Sequence, residues 1–133
     1  MRRTVQGIVL REINYKEADK ILTVLTREEG KLTLKARGCR RKNSRLLASS
    51  QLLVYSELAI TQRGEFITLV EGDPLTQFRR LGEDIDKLAL ASYFAEVTEK
   101  TVQEGEVCPD ILSLLLNCLY ALDTLDKPLE QVK

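Results

Sequence analysis

The sequence has no histidine and no tryptophan, and it holds one methionine, three prolines, three cysteines and seven aromatic residues in 133. Without histidine, the commonest general base, proton shuttle and metal ligand is missing. No Ser-His or Cys-His nucleophile can then be assembled. Cys39, Cys108 and Cys118 are odd in number and too scattered for a C-x-x-C metal or redox signature. They read as reduced intracellular thiols. No stretch approaches the roughly 20 apolar residues of a membrane-spanning helix. The start, M-R-R-T-V-Q-G, lacks the apolar run of a secretory signal. A cytoplasmic location is expected. No phosphate loop with G-K-[ST] and no nucleophile elbow is present. The chain reads as non-enzymatic, with no catalytic residue, no metal ligand and no cofactor site expected.

Net charge is also lacking, with twenty Lys+Arg against twenty Asp+Glu. The zero is a difference between two halves. Residues 1–80 hold sixteen basic and nine acidic side chains, and residues 81–133 hold four and eleven. A basic N-terminal part is thus joined to an acidic C-terminal one, and the neutral total does not exclude a nucleic-acid ligand.

The basic part reads as strands. Gly7–Ile13 and Ile21–Thr26 are rich in β-branched residues, and the second ends at a Glu28-Glu29-Gly30 turn. Over Lys31–Arg37 the period is two: Leu32, Leu34 and Ala36 on one face, Lys31, Thr33, Lys35 and Arg37 on the other. A short helix is expected over Arg45–Ser49. Leu52–Thr61 follows as a strand with Val54, Ser56, Leu58 and Ile60 on one side. A Gln62–Glu65 hairpin turn then leads into a strand over Phe66–Val70. Phe66 is expected in the core, and Tyr55 fits either face. Five strands with a small helix after the third fit an OB-fold, a five-stranded Greek-key barrel. An SH3-like barrel is compatible with the strand count alone. The expected fold class is α+β: a β-barrel over residues 1–80, then the start of a helical domain over 81–133.

After Asp73-Pro74 the period becomes helical. Ile85, Leu88, Ala91, Ala95 and Val102, beside Leu90, Phe94 and Val97, form one broad apolar face. Glu83, Asp84 and Asp86 suit the helix start, and Glu96 and Lys100 form a favourable i,i+4 pair. Gly105 ends this helix and Pro109-Asp110 opens the next. Ile111–Leu125 is apolar nearly all round, with a narrow polar stripe at Ser113, Asn117 and Thr124. Such a helix needs cover on most sides, and the end at Leu129–Lys133 carries no capping element. The expectation is the N-terminal part of a longer protein; the alternative is a small protein that dimerises through this helix.

The most informative stretch is K-A-R-G-C-R-R-K-N-S-R, Lys35 to Arg45, with six cations in eleven residues and no acid. It leaves the basic face of a strand and enters the next loop, near the surface where OB barrels take oligonucleotides. The candidate DNA-binding residues are Lys31, Lys35, Arg37, Arg40, Arg41, Lys42 and Arg45. Arg can donate twice to a phosphate, and Lys acts as a mobile point charge. Few aromatics (Tyr15, Tyr55, Phe66, Phe78) are available for base stacking in this part. Binding is therefore expected to follow the phosphates rather than the bases. Glu17 and Asp19, flanked by Lys16 and Lys20, read as salt-bridged loop residues, and Cys39 as a bystander thiol.

Four segments in register carry a family resemblance: G-I-V-L-R at Gly7–Arg11, Y-K-E-A-D-K-I-L-T at Tyr15–Thr23, L-T-R-E-E-G-K at Leu25–Lys31 and A-R-G-C-R-R-K-N-S-R at Ala36–Arg45. Together they resemble the N-terminal part of RecO, the bacterial DNA repair and recombination mediator family. The resemblance implies an OB-fold followed by a helical domain and a role in the RecF pathway. It implies binding of single- and double-stranded DNA (ssDNA and dsDNA), strand annealing, and help for RecA in replacing single-strand-binding protein (SSB). RecR and SSB are the implied protein partners, and the implied location is cytoplasmic and nucleoid-associated. Many full-length relatives carry a four-cysteine zinc module that would lie beyond residue 133. Cys108 and Cys118 do not match its spacing, so no zinc is expected here. The alternatives are a protein-interaction scaffold and an RNA-binding OB module, each with a merely solvated basic loop.

Overall fold

A computed structural model describes residues 2–125; the expected uncapped end at Leu129–Lys133 lies outside the described residues. Five strands, β1 (Arg2–Tyr15), β2 (Asp19–Thr26), β3 (Gly30–Ala36), β4 (Tyr55–Arg63) and β5 (Phe66–Thr76), close into a barrel in the order β1-β2-β3-β5-β4. Every pairing is antiparallel except β3 with β5, which meet in parallel at Lys35 and Thr68. This is the expected OB-fold, followed by a 3-10 turn (Arg79–Glu83) and two helices, α1 (Ile85–Thr101) and α2 (Pro109–Thr124).

The alternation of β3 sorts its side chains as expected. Leu34 and Ala36 are fully buried and Leu32 nearly so, while Lys31, Thr33 and Lys35 face outward. Val54, Ser56, Leu58 and Ile60 are likewise all buried. β1 is long enough to pair with β4 through its first half and with β2 through its second, with a bulge between Val9 and Arg11. The inside of the barrel is filled by Val5, Val9, Leu22, Leu34, Leu58 and Ile60, among others. Each such side chain contributes about 1.5–3 kcal/mol relative to exposure. A second core lies on the outside, where Ile8, Leu10, Leu25 and Tyr55 of the barrel meet Ala91 and Ala95 of α1 and Leu112, Leu115 and Leu119 of α2. Tyr55 thus takes the helix-covered face, and its hydroxyl donates to Gln6 Oε1 at 2.9 Å.

Several expectations are corrected. No helix forms over Arg45–Ser49; residues 40–53 form a succession of turns. The Ser49 hydroxyl donates to Leu46 O, the Ser50 hydroxyl to Leu47 O, and the Gln51 amide also to Leu47 O. Leu46 O still takes a helix-type bond from Ser50 N–H, but Leu47 O is given to the two side chains while Gln51 N–H turns to Ala48 O, so the ladder does not continue. β4 starts at Tyr55 rather than Leu52, because Leu53 turns into the left-handed region (φ 65°) as its N–H bonds Val9 O. β5 runs past Pro74 to Thr76, with Pro74 seated at a register shift against β4, where its missing donor is tolerated. Phe66 is 80% exposed at the hairpin tip, beyond the barrel wall, and is not core. In α1 the buried line is Lys87, Ala91, Ala95 and then Val102 at its end, whereas Ile85 (83%), Leu88 and Val97 are exposed. The small residues allow close approach to the barrel, while the bulk comes from the leucines of α2. Asp84 caps α1, its carboxylate accepting from the N–H groups of Asp86 and Lys87, and the Glu96–Lys100 pair forms at 2.8 Å.

Candidate nucleic-acid interface

The basic stretch is held in shape by the β1–β2 hairpin. The hairpin turns at Lys16, a non-glycine residue in the left-handed region (φ 54°). Three hydrogen bonds then fasten the following basic loop to it. Gly38 N–H donates to Asp19 Oδ1 at 2.7 Å, Arg40 N–H to Ala18 O at 3.0 Å, and the Arg40 guanidinium to Lys16 O at 2.8 Å. Asp19 is therefore a clamp for the loop backbone and not a salt-bridge partner of its lysine neighbours. Lys20 instead points inward and pairs with Glu12 at 3.4 Å. Below the clamp, Cys39 is fully buried and Leu46 nearly so, and both plug the end of the barrel. The loop also lies flat on β5: a Cβ at Gly72 would stand 2.1 Å from Ser49 Oγ.

This arrangement distributes the candidate cations over two faces of one corner. On the first, Lys35 Nζ stands 5.2 Å and Lys16 Nζ 5.4 Å from the ring centroid of Tyr15. On the second, Arg37, Arg41 and Arg45, with Asn43 and Ser44, line a groove over Thr68–Val70 of about 560 Å³. Among the described residues, no acidic side chain lines it. Arg45 reaches Glu71 at 3.8 Å but stays 80% exposed, so that pairing holds it weakly. Lys42 is exposed on the loop between them. Arg40 divides its role, since its guanidinium braces the hairpin.

Lys31 is separated from the others. It lies four residues up β3 from Lys35, about 13 Å at the strand rise, and its ammonium donates to Glu99 O near the end of α1 at 2.8 Å. The acidic helices also touch this end of the basic face: Arg11 pairs with Glu99 at 3.5 Å, and Thr33 Oγ1 donates to Glu104. Arg3, at the other end of β1, is locked to Glu29, whose hydrogen bond and charge hold its guanidinium pKa above the ordinary value. Tyr15 and Lys16 are the residues that sequence reasoning undervalued. Their neighbourhood with Lys35 depends on cross-strand register, in which Ile13 stands beside Ile21 and Ile21 beside Lys35. Among the described residues, no three Cys, Asp or Glu side chains converge as metal ligands, and no helix is long and apolar enough to cross a membrane.

Comparison with known proteins gives the lineage of the chain. The family model described as recombination protein O, N-terminal, matches residues 1–78, and the one described as its C-terminal part matches residues 82–132. The chain belongs to the RecO family. It is 34% identical over 128 residues to the DNA repair protein RecO of Acetivibrio thermocellus, covering 96% of this chain and 51% of that one. It is 39% identical over 118 residues to the RecO of Bacillus pumilus (89% and 46%), and 36% over 118 to that of Bacillus subtilis (89% and 46%). The chain spans about half the length of the curated RecO relatives it matches.

Proposed function

We propose that this chain is the DNA-holding part of a RecO-type mediator of recombinational repair. It binds ssDNA and dsDNA through Lys35, Arg37, Arg40, Arg41, Lys42 and Arg45, with Lys31 at the margin. By neutralising phosphates on two strands it lowers their repulsion and promotes annealing, and it assists RecA loading on SSB-coated ssDNA, with RecR and SSB as partners. The work needs no bond chemistry, no cofactor and no metal in this chain, and it takes place in the cytoplasm at the nucleoid. The observation that carries this reading is the groove in which three guanidiniums and no acid line one side of an OB barrel.

Fluorescence anisotropy with labelled single-stranded oligonucleotides over a salt series tests it. Four to six phosphate contacts give a log–log slope of about −3 to −4. The variant of choice is Arg37→Ala/Arg41→Ala/Arg45→Ala, because Arg40 also braces the hairpin. It is expected to reduce the slope by about 2 and to weaken binding roughly tenfold or more at low salt, with little change in melting temperature. Salt-independent binding, or unchanged affinity in the triple variant, overturns the reading.

A second reading, protein docking, is supported by a different surface. Tyr93, Leu114 and Tyr120 of the helices are each at least 60% exposed. Retention of a RecR or SSB partner at high salt, together with no DNA binding at low salt, is the result that favours it over the first.

A further inference from the structure

We propose that Tyr15 is a stacking platform for an unpaired base, flanked by Lys16 and Lys35 as phosphate-facing cations. This rests on the nucleic-acid reading above and deepens it, because it gives the surface a preference for single strands that phosphates alone do not supply.

Tyr15 ends β1 on the outward face and is 40% exposed. Its apolar surroundings on that face are Ile13, 46% exposed, and the half-buried Ile21, which are cross-strand neighbours. An exposed aromatic and an exposed isoleucine side by side on an OB barrel's outer sheet face form a surface that bases can cover. Two ammonium groups lie over the ring from separate segments, Lys16 from the hairpin turn and Lys35 from β3. Each can swing from the ring to a phosphate when a base takes its place, so the ring is kept covered while free and its cations are already at hand when bound. The backbone that aims Lys16 is also fixed. Its left-handed turn is held by the Arg40 guanidinium on its carbonyl, so the platform is built from the same clamp that shapes the basic loop. A base must be unpaired to present its full face to an aromatic ring, whereas duplex phosphates reach the groove cations equally well.

The chain has no tryptophan, so Tyr15→Trp introduces a sole indole at the platform. Single-stranded oligonucleotides are expected to quench its emission in a saturable way, while duplex of equal length leaves it largely unchanged. Tyr15→Ala is expected to weaken single-strand binding about 5- to 100-fold and duplex binding less than twofold, and Tyr15→Phe to keep both. An oligonucleotide of abasic sites is expected to bind the native protein more weakly than a normal one and to bind Tyr15→Ala no differently. Thermal melting of each variant confirms folding. Equal losses for single strand and duplex in Tyr15→Ala, or an unquenched indole under saturating single strand, overturn the stacking role while leaving the phosphate groove standing. Failure of the native protein to bind either nucleic acid overturns both readings.

Discussion

A lysine whose side chain is almost wholly buried must repay its desolvation. Lys20 is 5% exposed, and it meets that demand with Glu12 at 3.4 Å and the Ser50 carbonyl at 3.4 Å. Removing one partner of such a pair costs more than replacing both. Glu12→Ala is expected to lower stability in urea denaturation by about 2 kcal/mol, discounted because the Glu12 side chain is 32% exposed although its pairing oxygen is buried. Glu12→Ala/Lys20→Met should recover most of that loss. The three thiols differ in a way that labelling can read. Cys39 is fully buried, whereas Cys108 and Cys118 are partly exposed. Two thiols are expected to react in the native state and the third only in denaturant. The Cys108 thiol is pushed up by desolvation, then by the charge of Glu106 and a hydrogen bond to its carboxylate. A raised pKa means less thiolate at a given pH. Its labelling rate should therefore still climb with pH where an ordinary thiol has levelled off.

At the scale of elements, β3 serves two masters. Its C-terminal end carries Lys35 toward the candidate interface, and its N-terminal end anchors the helices. Gly30 has φ +74°, and a Cβ there would stand 2.1 Å from Glu106 O. Gly105 N–H donates to Lys31 O at 2.9 Å, and the Lys31 ammonium caps Glu99 O. The segment after α1 thus docks on the edge of β3 that β5 leaves uncovered. Gly30→Ala meets both a disfavoured backbone region and a backbone atom that cannot step aside. It is expected to cost about 1–3 kcal/mol and to speed amide exchange near the end of α1. Lys31→Ala is expected to act on stability more than on the salt slope of DNA binding.

At the scale of the molecule, the opposed charges of the two parts are in contact at one margin, through Arg11 and Glu99. Each tempers the other's field only over short range, since the screening length is about 10 Å at 0.1 M salt. Glu99→Lys frees Arg11 and removes an anion beside the basic face. It is expected to tighten single-strand binding by about two- to fivefold at low salt, an advantage that should vanish near 0.5 M. Anisotropy at the two salt concentrations reads the difference.

Much of this was legible in the residues alone. Strict alternation over Lys31–Arg37 placed three side chains inward and the basic ones outward, because strand geometry has a period of two whatever lies opposite. The lack of histidine left no Ser-His or Cys-His nucleophile to assemble, whatever the fold. What only the tertiary structure decided is which outward residues meet. Tyr15 stands by Lys35 and Glu12 by Lys20 because of register across β1, β2 and β3, with a bulge near Leu10 that no local pattern announces. Phe66 left the core because it sits at the tip of a hairpin that overshoots the barrel. α1 buried its alanines rather than Ile85 because the convex barrel wall and the leucines of α2 set the available space. Local periodicity comes from bonds along the chain, and the pairing of faces comes from contacts between distant segments.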